Sequence, residues 1–462
     1  MKYSIILPYR NREQHLQTLL PRLIEKFAGK DYEIIVAEQE DEGPFLKTIL
    51  MNMAFKYSKG EVLIFHDVDY YPMDNVSYEY DEDAGIYPVR NVIFLDENGQ
   101  EMPEDRIPGG YRMFRYDVGN HSGGVVMVSR RNFVRMNGFN PAYRGWGKED
   151  DDFMIRFDYH EIQRRRNDKG TFLSLYHPNT EPPQNDPDFQ NNVRLMNQFL
   201  DTYWLGYSHA NADVSEFELE GIPNGRWLKM KNLRVETKVV SIGLTTRHRV
   251  KSLDRTVQAI VSTVKNLSNM EIVFKVDEDD TETIDYLKNL KIEPDIITSI
   301  SPRHPLGYYG VAQYDTEVAR LSRGKMFIIF ADDIICQTPG WDELVIPYQD
   351  MFGVVHAIDD DDGDVKTAWY TSSKLFRTMQ WFGTHPHMDR WMNQLWKALP
   401  ELSLGVVNSK TSHTRDNPPD PTEPPRPAIY PHLEPEQLTE WSRIYERVKR
   451  HLEMIGRRKQ SG

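Results

Sequence analysis

The same order of strands and helices occurs twice in this chain, and it restricts the possible folds strongly. In the first half, apolar segments at 4–8, 32–37 and 61–65 predict strands, and the segments between them have the apolar spacing of helices. From residue 239 the order starts again, with predicted strands at 240–244, 271–276 and 326–330. A β-α-β-α-β order requires a parallel sheet covered by helices, and ligands bind at the carboxyl ends of its strands. The sequence therefore predicts an α/β fold with two domains of one plan in tandem.

The length and composition are those of a globular protein with more than one domain. The chain has 462 residues, more than one hydrophobic core usually serves, and 39% of them are hydrophobic. Helical periodicity is lost between residues 207 and 238, so we place the boundary near residue 236. The predicted domains are 1–236 and 237–462, and the second ends in a proline-rich strap and a final helix.

Three further features predict a cytoplasmic protein. Cys336 is the single cysteine, so no intramolecular disulfide can form. No run approaches the roughly 20 apolar residues that span a bilayer. The N-terminus enters a strand without the apolar segment of a signal peptide. The sequence leaves the oligomeric state open.

The charge balance weighs against a nucleic acid or an anionic membrane as the main partner. The net charge is -14, from 70 acidic and 56 basic residues, whereas both partners reward clustered positive charge. Arg164-Arg165-Arg166 is the only dense basic run before the C-terminus, and we interpret it as a solvated helix face. A nucleic acid is thereby disfavoured and not excluded.

An acidic pair, Asp67-Val68-Asp69, follows the apolar run at 61–65. Residues two apart on an extended chain face the same side, so both carboxylates can point to one ligand. Carboxylate oxygens bind hard divalent cations, and such a cation can hold a diphosphate. We expect Asp69 to ligate the metal, and Asp67 to reach a ribose or the water shell of the metal. The alternative is a solvated strand end with two capping carboxylates.

A second acidic string, residues 149–152, follows a Gly-Trp-Gly sequence centred on Trp146. Glycine neighbours allow unusual backbone angles, so the indole can lie flat and stack on the apolar face of a sugar. The carboxylates can then bind the sugar hydroxyls, and one of them can act as a general base. The alternative is a helix N-terminus enriched in acids to complement the helix dipole.

Four ordered sequence blocks resemble the β-1,4-galactosyltransferase family, which consists of inverting enzymes of the GT-A fold. The blocks are Pro8-Tyr9-Arg10-Asn11-Arg12, Asp67-Val68-Asp69 with Pro72-Met73, Gly123-Gly124-Val125, and Asn137-Gly138-Phe139 through Gly145-Trp146-Gly147-Lys148-Glu149-Asp150-Asp151-Asp152. The resemblance covers roughly residues 3–235, and four blocks in order are more specific than any one of them.

The resemblance implies a role for each matched position. Those on the donor or nucleotide side are Arg10, Arg12, Asp67, Gly123 and Gly124. The implied manganese ligands are Asp69 and His177. The implied catalytic residues are Asp150, as the base, and Glu149, and the implied acceptor-binding residues are Trp146, Gly147 and Asp151.

The chain departs from the family pattern at several positions. Lys148 replaces a usual glycine, His121-Ser122 replaces an aromatic pair, and Ser174 lies near the place of a methionine ligand. The last two changes border the donor and metal sites, so the donor sugar stays open between a hexose and an N-acetylhexosamine. The Golgi anchor and disulfides of the animal members are missing, which fits a bacterial or viral protein.

The second half resembles the GT-A domains of family-2-like glycosyltransferases, though its motifs are less specific. Asp332-Asp333 follows an apolar strand, as Asp67-Val68-Asp69 does in the first half. The resemblance implies Asp333 as a metal ligand with His413, Asp389 as a base, and Asp277, Asp279 and Asp332 beside the nucleotide.

Together the two halves predict a bifunctional glycosyltransferase that depends on Mn²⁺ or Mg²⁺ and moves a sugar from a UDP-sugar to a glycan or glycoconjugate. One alternative is a viral enzyme that glycosylates a modified base in DNA. A second alternative is a glycan-binding protein whose second domain is inactive.

Overall fold

The computed structural model describes residues 1–80, 83–107, 123–167, 169–178, 185–305, 307–359, 369–380, 382, 388–414 and 435–461. The chain divides into two compact units, Met1–Glu236 and Thr237–Gly462. Within the described ranges, no helix is long and apolar enough to cross a membrane.

The N-terminal unit is a twisted sheet with helices on both faces. Its strands are β1 Tyr3–Tyr9, β2 Tyr32–Gln39, β3 Val62–His66, β4 Tyr70–Pro72, β5 Gly85–Tyr87, β6 Asn91–Phe94, β7 Val125–Ser129, β8 Arg164–Arg166, β9 Thr171–Ser174, β10 Ala210–Glu218 and β11 Gly225–Val235. Its helices are α1 Glu13–Lys26, α2 Lys47–Tyr57, α3 Arg130–Arg135, α4 Glu149–Tyr159, α5 Pro187–Asn197 and α6 Phe199–Thr202.

The main sheet of this unit has the strand order β10-β11-β2-β1-β3-β7-β5-β8. The central strands β2, β1 and β3 are parallel, and β7 runs antiparallel to β3. Every residue of β1 and β3 is buried, as expected of central parallel strands covered on both faces. A smaller sheet, β4-β9-β6, lies beside the end of β3.

The apolar stripe of α1 explains how that helix is held on the sheet. Leu19 and Leu23 are completely buried and pack against β1 and β3 residues in one core. Burying each such leucine contributes about 2 kcal/mol.

The C-terminal unit repeats this plan. Its strands are β12 Lys238–Thr245, β13 Met270–Asp277, β14 Asp295–Ser301, β15 Gly324–Ala331, β16 Ile334–Cys336, β17 Val354–Asp359, β18 Trp369–Ser372 and β19 Ser403–His413. Its helices are α7 Val250–Thr263, α8 Thr281–Asn289, α9 Val311–Leu321, α10 Trp341–Leu344, α11 Ser373–Met379, α12 Met388–Ala398 and α13 Pro435–Ser461. The strand order is β14-β13-β12-β15-β18-β17-β19-β16.

Both sheets are mixed and mostly parallel, so the predicted α/β class with two similar units is confirmed. In each sheet four adjacent parallel strands, β11-β2-β1-β3 in the first and β14-β13-β12-β15 in the second, are followed by an antiparallel neighbour, which is β7 in the first and β18 in the second.

A buried polar network occurs in both units at matching positions. Ser4 Oγ on β1 donates to Glu33 on β2 and accepts from the Gly60 N–H at 2.7 Å. Ser241 Oγ on β12 donates to Glu271 on β13 and accepts from the Gly324 N–H at 2.7 Å. A Cβ at Gly60 would lie 2.5 Å from Ser4 Oγ, so glycine is required there. The network fixes equivalent strand registers and allows residues of the two units to be matched.

The prediction for Arg164-Arg165-Arg166 is wrong, because these residues form strand β8. They pair in parallel with Gly85–Tyr87 at the edge of the main sheet. Arg164 forms an ion pair with Asp158 at 2.8 Å, and Arg166 Nη1 donates to the Val89 carbonyl at 2.7 Å. A free sheet edge offers main-chain hydrogen bonds, which outweigh the helix propensity of a three-residue run.

Candidate functional site

The end of β3 brings the first acidic pair together with His177. Asp69 Oδ2 lies 3.1 Å from His177 Nε2, and both side chains are about one-fifth exposed. The Leu175 N–H donates to the Asp69 carbonyl at 2.8 Å, so the chain leaving β9 is fastened beside β3. Burial alone would raise the pKa of Asp69, but the hydrogen bond and charge of His177 outweigh it and lower that pKa.

These two side chains fit a divalent cation. Adjacent ligands at about 2.1 Å from an octahedral ion lie roughly 3.0 Å apart, and the observed separation is 3.1 Å. Carboxylate oxygen suits Mn²⁺ and Mg²⁺, and imidazole nitrogen is a common transition-metal ligand. Across the described residues, no group of three His, Cys, Asp or Glu side chains could hold a metal. A bound diphosphate and water could supply further oxygen ligands.

Lys47 is the centre of a charge cluster that the sequence analysis missed. Its Nζ lies 3.0 Å from Asp67 Oδ1, 3.3 Å from Glu149 Oε1 and 3.3 Å from Asp150 Oδ2. Burial opposes its charge, but the three carboxylates prevail and raise the pKa of Lys47 well above its ordinary value. The available signal was one lysine at the start of α2, directly before eight consecutive buried residues.

The same cluster makes Asp150 a carboxylate that readily holds a proton. Burial raises the pKa of Asp150 well above its ordinary range, the charges of Glu149 and Asp67 raise it further, and Lys47 opposes them. Burial likewise raises the pKa of Asp67 to about 6. Raised carboxyl pKa values in a cleft are typical of proton-transfer sites.

The four acids that begin α4 have three different environments. Glu149 and Asp150 face Lys47, as described above, whereas Asp151 forms an ion pair with Lys148 at 3.0 Å. Asp152 is buried and bonds to Arg156 at 2.7 Å, so its role is structural. All four acids lie in the first turn of α4, where the helix dipole favours negative charge, so the alternative interpretation applies to each of them. Only Glu149 and Asp150 also contact Lys47.

Trp146 is 44% exposed in the loop before α4. Its ring centroid lies 6.0 Å from that of Phe189 on α5. Gly145 and Gly147 have positive φ of 65° and 92°, a region that favours glycine. A Cβ at Gly147 would lie 3.2 Å from the Phe189 ring. Trp146 therefore lies in a loop whose backbone angles favour glycine on both sides of it.

The predicted donor-side residues lie around the same sheet edge. Arg10 Nη1 donates to the Gly43 carbonyl at 2.8 Å, and its guanidinium lies 5.4 Å from the Phe45 ring centroid. Gly124 accepts a hydrogen bond from the Asp67 N–H at 2.8 Å. Gly123 directly precedes it, and Arg12 lies directly before α1. A small, partly open pocket is lined by Lys47, Met51, Phe65, Asp67, Gly124, Val125, Val126, Phe139 and Asp150.

In the C-terminal unit, each predicted nucleotide-side acid has an arginine partner. Asp277 and Asp279 both accept from Arg247, at 3.1 Å for the first. Asp332 accepts from Thr246 at 2.8 Å and lies 3.3 Å from Arg249. Burial raises the pKa of Asp332.

The other predicted residues of this unit are placed by their backbone. The Asp333 carbonyl accepts from the Thr414 N–H at 3.0 Å, and Ile334 pairs with His413. Asp389 is the second residue of α12. The side chains of His413 and Asp389 lie outside the described part, so their predicted roles stay predictions.

Family models match two ranges of the N-terminal unit. Residues 1–80 match the model described as the N-terminal region of glycosyl transferase group 7. Residues 111–178 match the model described as the N-terminal domain of galactosyltransferase.

Two curated relatives are beta-1,4-galactosyltransferases. Beta-1,4-galactosyltransferase 4 of Mus musculus is 32% identical over 184 residues, which are 38% of this chain and 48% of the relative. Beta-1,4-galactosyltransferase 7 of Drosophila melanogaster is 30% identical over 160 residues, which are 34% of this chain and 44% of the relative. The chain spans about half the length of the curated relatives it matches.

Solved structures are more distant. The catalytic domain of Drosophila beta1,4galactosyltransferase 7 with xylobiose is 22% identical, with 51% of this chain and 95% of that chain covered and a TM-score of 0.39. S. aureus TarS 1-349 with UDP is 8% identical, with 34% and 54% covered and a TM-score of 0.29. The family models and curated relatives confirm the predicted resemblance of the N-terminal half to the β-1,4-galactosyltransferases.

Proposed function

We propose that the N-terminal unit is a metal-dependent glycosyltransferase that moves a sugar from a UDP-sugar to a hydroxyl of a glycan or glycoconjugate. The observation that carries the proposal is one site in which the Asp69–His177 pair at 3.1 Å adjoins the cluster of Lys47, Asp67, Glu149 and Asp150. The similarity to galactosyltransferases supports the reaction class and makes galactose the first donor to test.

The metal-binding side of the site would neutralise the leaving group. Asp69 and His177 would hold Mn²⁺ or Mg²⁺, whose contribution when bound is charge stabilisation of a departing diphosphate. Arg10 and Arg12, beside β1, would add positive charge on the nucleotide side. Asp67 joins the two sides, because it lies two residues from Asp69 and contacts Lys47.

Proton transfer belongs to Asp150 in this proposal. Asp150 would accept the proton of the acceptor hydroxyl, whose oxygen then forms a bond to the anomeric carbon while the bond to the diphosphate breaks. Attack from the face opposite the leaving group inverts the configuration. A base must be ionised before it acts; burial raises the pKa of Asp150, and the charge of Lys47 limits that rise without reversing it, so transfer should be faster at higher pH. Glu149 also contacts the positive charge of Lys47. Trp146, Gly147 and Asp151 would face the acceptor sugar.

A donor screen with the full chain tests this function. UDP-galactose, UDP-glucose and their N-acetyl forms would be incubated with and without Mn²⁺, and both the thermal shift and the released UDP would be measured. Binding to the folded state raises the melting temperature, so a donor should stabilise the protein only with the metal present. Metal-independent binding, or no UDP release with any donor and glycan acceptor, would contradict the proposal.

We also propose that the C-terminal unit is a second transferase, which makes the protein bifunctional. The supporting observation is a residue-by-residue correspondence with the N-terminal unit. Leu63 pairs with Ser4 in the first unit, and Phe327 pairs with Ser241 in the second. Asp69 follows Leu63 by the same number of residues as Asp333 follows Phe327. Asp333 therefore has the position of the proposed metal ligand.

The correspondence extends to the loops after the first strand and after the antiparallel strand. Asn11 and His248 have φ of 51° and 52°, and each lies between two arginines. Asn137, two residues after α3, and Gln380, directly after α11, have φ of 65° and 68°.

Asp389 takes the place of Asp150 in this correspondence. Asp150 and Asp389 are the second residues of the helices that follow, α4 and α12. The connection before α12 is shorter in sequence and has no Gly-Trp-Gly, so the second unit would take a different acceptor.

Paired variants test the second activity in the full chain. Asp69→Asn should remove one Mn²⁺-dependent product or hydrolysis activity, and Asp333→Asn should remove another. If Asp333→Asn leaves every metal-dependent activity unchanged, the second unit is inactive and a glycan-binding role becomes the better account. Glycosylation of duplex DNA with sensitivity to salt would instead support the viral DNA-modifying alternative.

A further inference from the structure

We infer that Asn192 is a positioning residue that holds the Trp146 loop in the shape required for acceptor binding. The loop comprises residues 144–148 and ends where α4 begins. The inference rests on the proposed transferase function of the N-terminal unit and adds to it a residue on a different helix.

The carboxamide of Asn192 bonds to four main-chain groups of this loop. Its Nδ2 donates to the carbonyls of Arg144 at 2.7 Å, Gly147 at 3.0 Å and Trp146 at 3.3 Å. Its Oδ1 accepts from the Arg144 N–H at 3.2 Å. Asn192 is 1% exposed and lies on α5. One buried side chain thus satisfies the main chain on both sides of Trp146.

The loop needs such a restraint because its own backbone is unusual. Gly145, Gly147 and Lys148 all have positive φ, of 65°, 92° and 75°. Lysine pays a steric penalty in that region, which glycine does not. The Gly145 N–H has a second tether, the Phe45 carbonyl at 3.0 Å. Without the carboxamide, three carbonyls would lose an interior partner, and the loop would relax towards other shapes.

Only asparagine among residues of this size supplies the required pattern. A carboxylate in the same place would set its oxygens against three carbonyl oxygens. A leucine would fill the volume and offer neither donor nor acceptor. Both replacements should displace Trp146 and the start of α4, and therefore the acceptor side of the site.

The donor side should be unaffected, because it is held by other elements. Asp69 is on the segment after β3, and His177 follows β9, which pairs with β4. Neither hydrogen-bonds to Asn192. A positioning role therefore predicts a split, in which acceptor kinetics change and metal-dependent donor binding does not.

Asn192→Asp and Asn192→Leu test the inference in the full chain, with Asn191→Ala as the matched control. Asn191 is adjacent on α5, and its Oδ1 accepts from the exposed Arg194 guanidinium at 2.7 Å. We expect kcat/KM for the acceptor to fall about 10- to 100-fold in both Asn192 variants. The KM for the UDP-sugar and its Mn²⁺-dependent thermal shift should stay within about twofold of wild type, as should all values for the control.

Hydrogen exchange supplies a readout that does not depend on enzymatic activity, and its first part needs only the wild-type protein. The Arg144 amide should exchange slowly in the wild type, and the 144–148 amides should exchange faster in either Asn192 variant. If a variant does not fold, the wild-type exchange carries the test.

Three results would overturn the inference. They are rapid exchange of the wild-type Arg144 amide, an unchanged acceptor kcat/KM in a folded Asn192 variant, and an equal fall in donor binding. Absence of transfer by the wild type with every donor and acceptor would instead contradict the proposed function.

Discussion

The carboxyl edges of the two sheets handle their negative charges differently. In the N-terminal unit, Lys47 lies within 3.3 Å of Asp67, Glu149 and Asp150. In the C-terminal unit, Arg247 forms ion pairs with Asp277 and Asp279, and Arg249 forms an ion pair with Asp332. Among the residues that the structure describes, three carboxylates share one lysine in the first cluster, whereas three carboxylates share two arginines in the second.

Matched positions explain this difference. Lys47 is the first residue of α2, and Val311 is the first residue of the equivalent helix α9. Lys47 precedes Gly60 by the same number of residues as Val311 precedes Gly324. Asp67, directly after β3, likewise corresponds to Ala331, the last residue of β15. One plan thus carries two charge arrangements, and an excess of carboxylates is the one better prepared for a divalent cation.

The largest expected effect in this comparison is that of Asp69→Asn. Loss of a carboxylate ligand should remove metal-dependent UDP binding by the N-terminal unit and lower its transfer rate by about 10³-fold or more. The measurement is calorimetric titration of UDP with and without Mn²⁺. Asp74→Asn is the control, since Asp74 is exposed and pairs with Arg22. If the Asp69→Asn variant binds UDP with Mn²⁺ as tightly as the wild type does, the proposed metal site is wrong.

Lys47→Met should cost the next largest amount, about 3 kcal/mol of folding free energy. It leaves three partly buried carboxylates without their shared cation, and breaking a buried ion pair on one side is strongly destabilising. Arg247→Met should cost less, because Asp277 keeps Lys275 at 3.2 Å. Chemical denaturation of both variants at neutral pH measures the difference. A larger loss for Arg247→Met would reverse the comparison.

A pH-dependent cost is expected in the C-terminal unit at Asp315. This side chain on α9 is 3% exposed, its Oδ1 has no hydrogen-bond partner among the described residues, and burial raises its pKa to about 8. The folded state therefore keeps the proton while the unfolded state loses it, between pH values of about 4 and 8. Stability consequently falls as the pH rises through that window.

Asp315→Asn should remove this penalty. Each pKa unit is worth about 1.4 kcal/mol, so the stability advantage of the variant over wild type should grow by about 3 kcal/mol between about pH 5 and pH 8, as measured by thermal unfolding. Asp285→Asn, at an exposed position of α8, serves as the control. A constant difference between variant and wild type across the window would exclude the raised pKa.

The smallest effect concerns two residues with positive φ. Lys148→Gly removes the steric penalty at φ 75° and loses only a partly exposed ion pair with Asp151, so stability should rise by at most about 1 kcal/mol. Gln380→Gly should instead lower stability, because Gln380 accepts from Arg447 at 2.8 Å. A loss of stability in Lys148→Gly would show that its ion pair outweighs the strain.

The sequence predicts the central strands well because each of them is a continuous apolar run. The apolar runs that predict β1, β3, β12 and β15 are the central strands of the two sheets, where burial on both faces demands continuous apolar sequence. Strand β8 could not be predicted in this way, since its pairing with Gly85–Tyr87 depends on a distant segment.

The site was predictable only where its residues belong to ordered motifs. Asp69 and His177 are 108 positions apart, and the resemblance alone placed them together. Lys47 and Asn192 escaped, because a single lysine or asparagine on a helix carries no pattern. Their roles follow from tertiary contacts with segments up to 103 residues away in sequence.

The most direct test of the central claim is the turnover of Asp150→Asn with a UDP-sugar, Mn²⁺ and a glycan acceptor. The account predicts that transfer falls by about 10³-fold or more, because no carboxylate remains to take the proton, while the Mn²⁺-dependent thermal shift with UDP persists. Asp158→Asn, an exposed change on the same helix, should keep full activity. Wild-type turnover by Asp150→Asn would contradict the assignment of the base and the mechanism built on it.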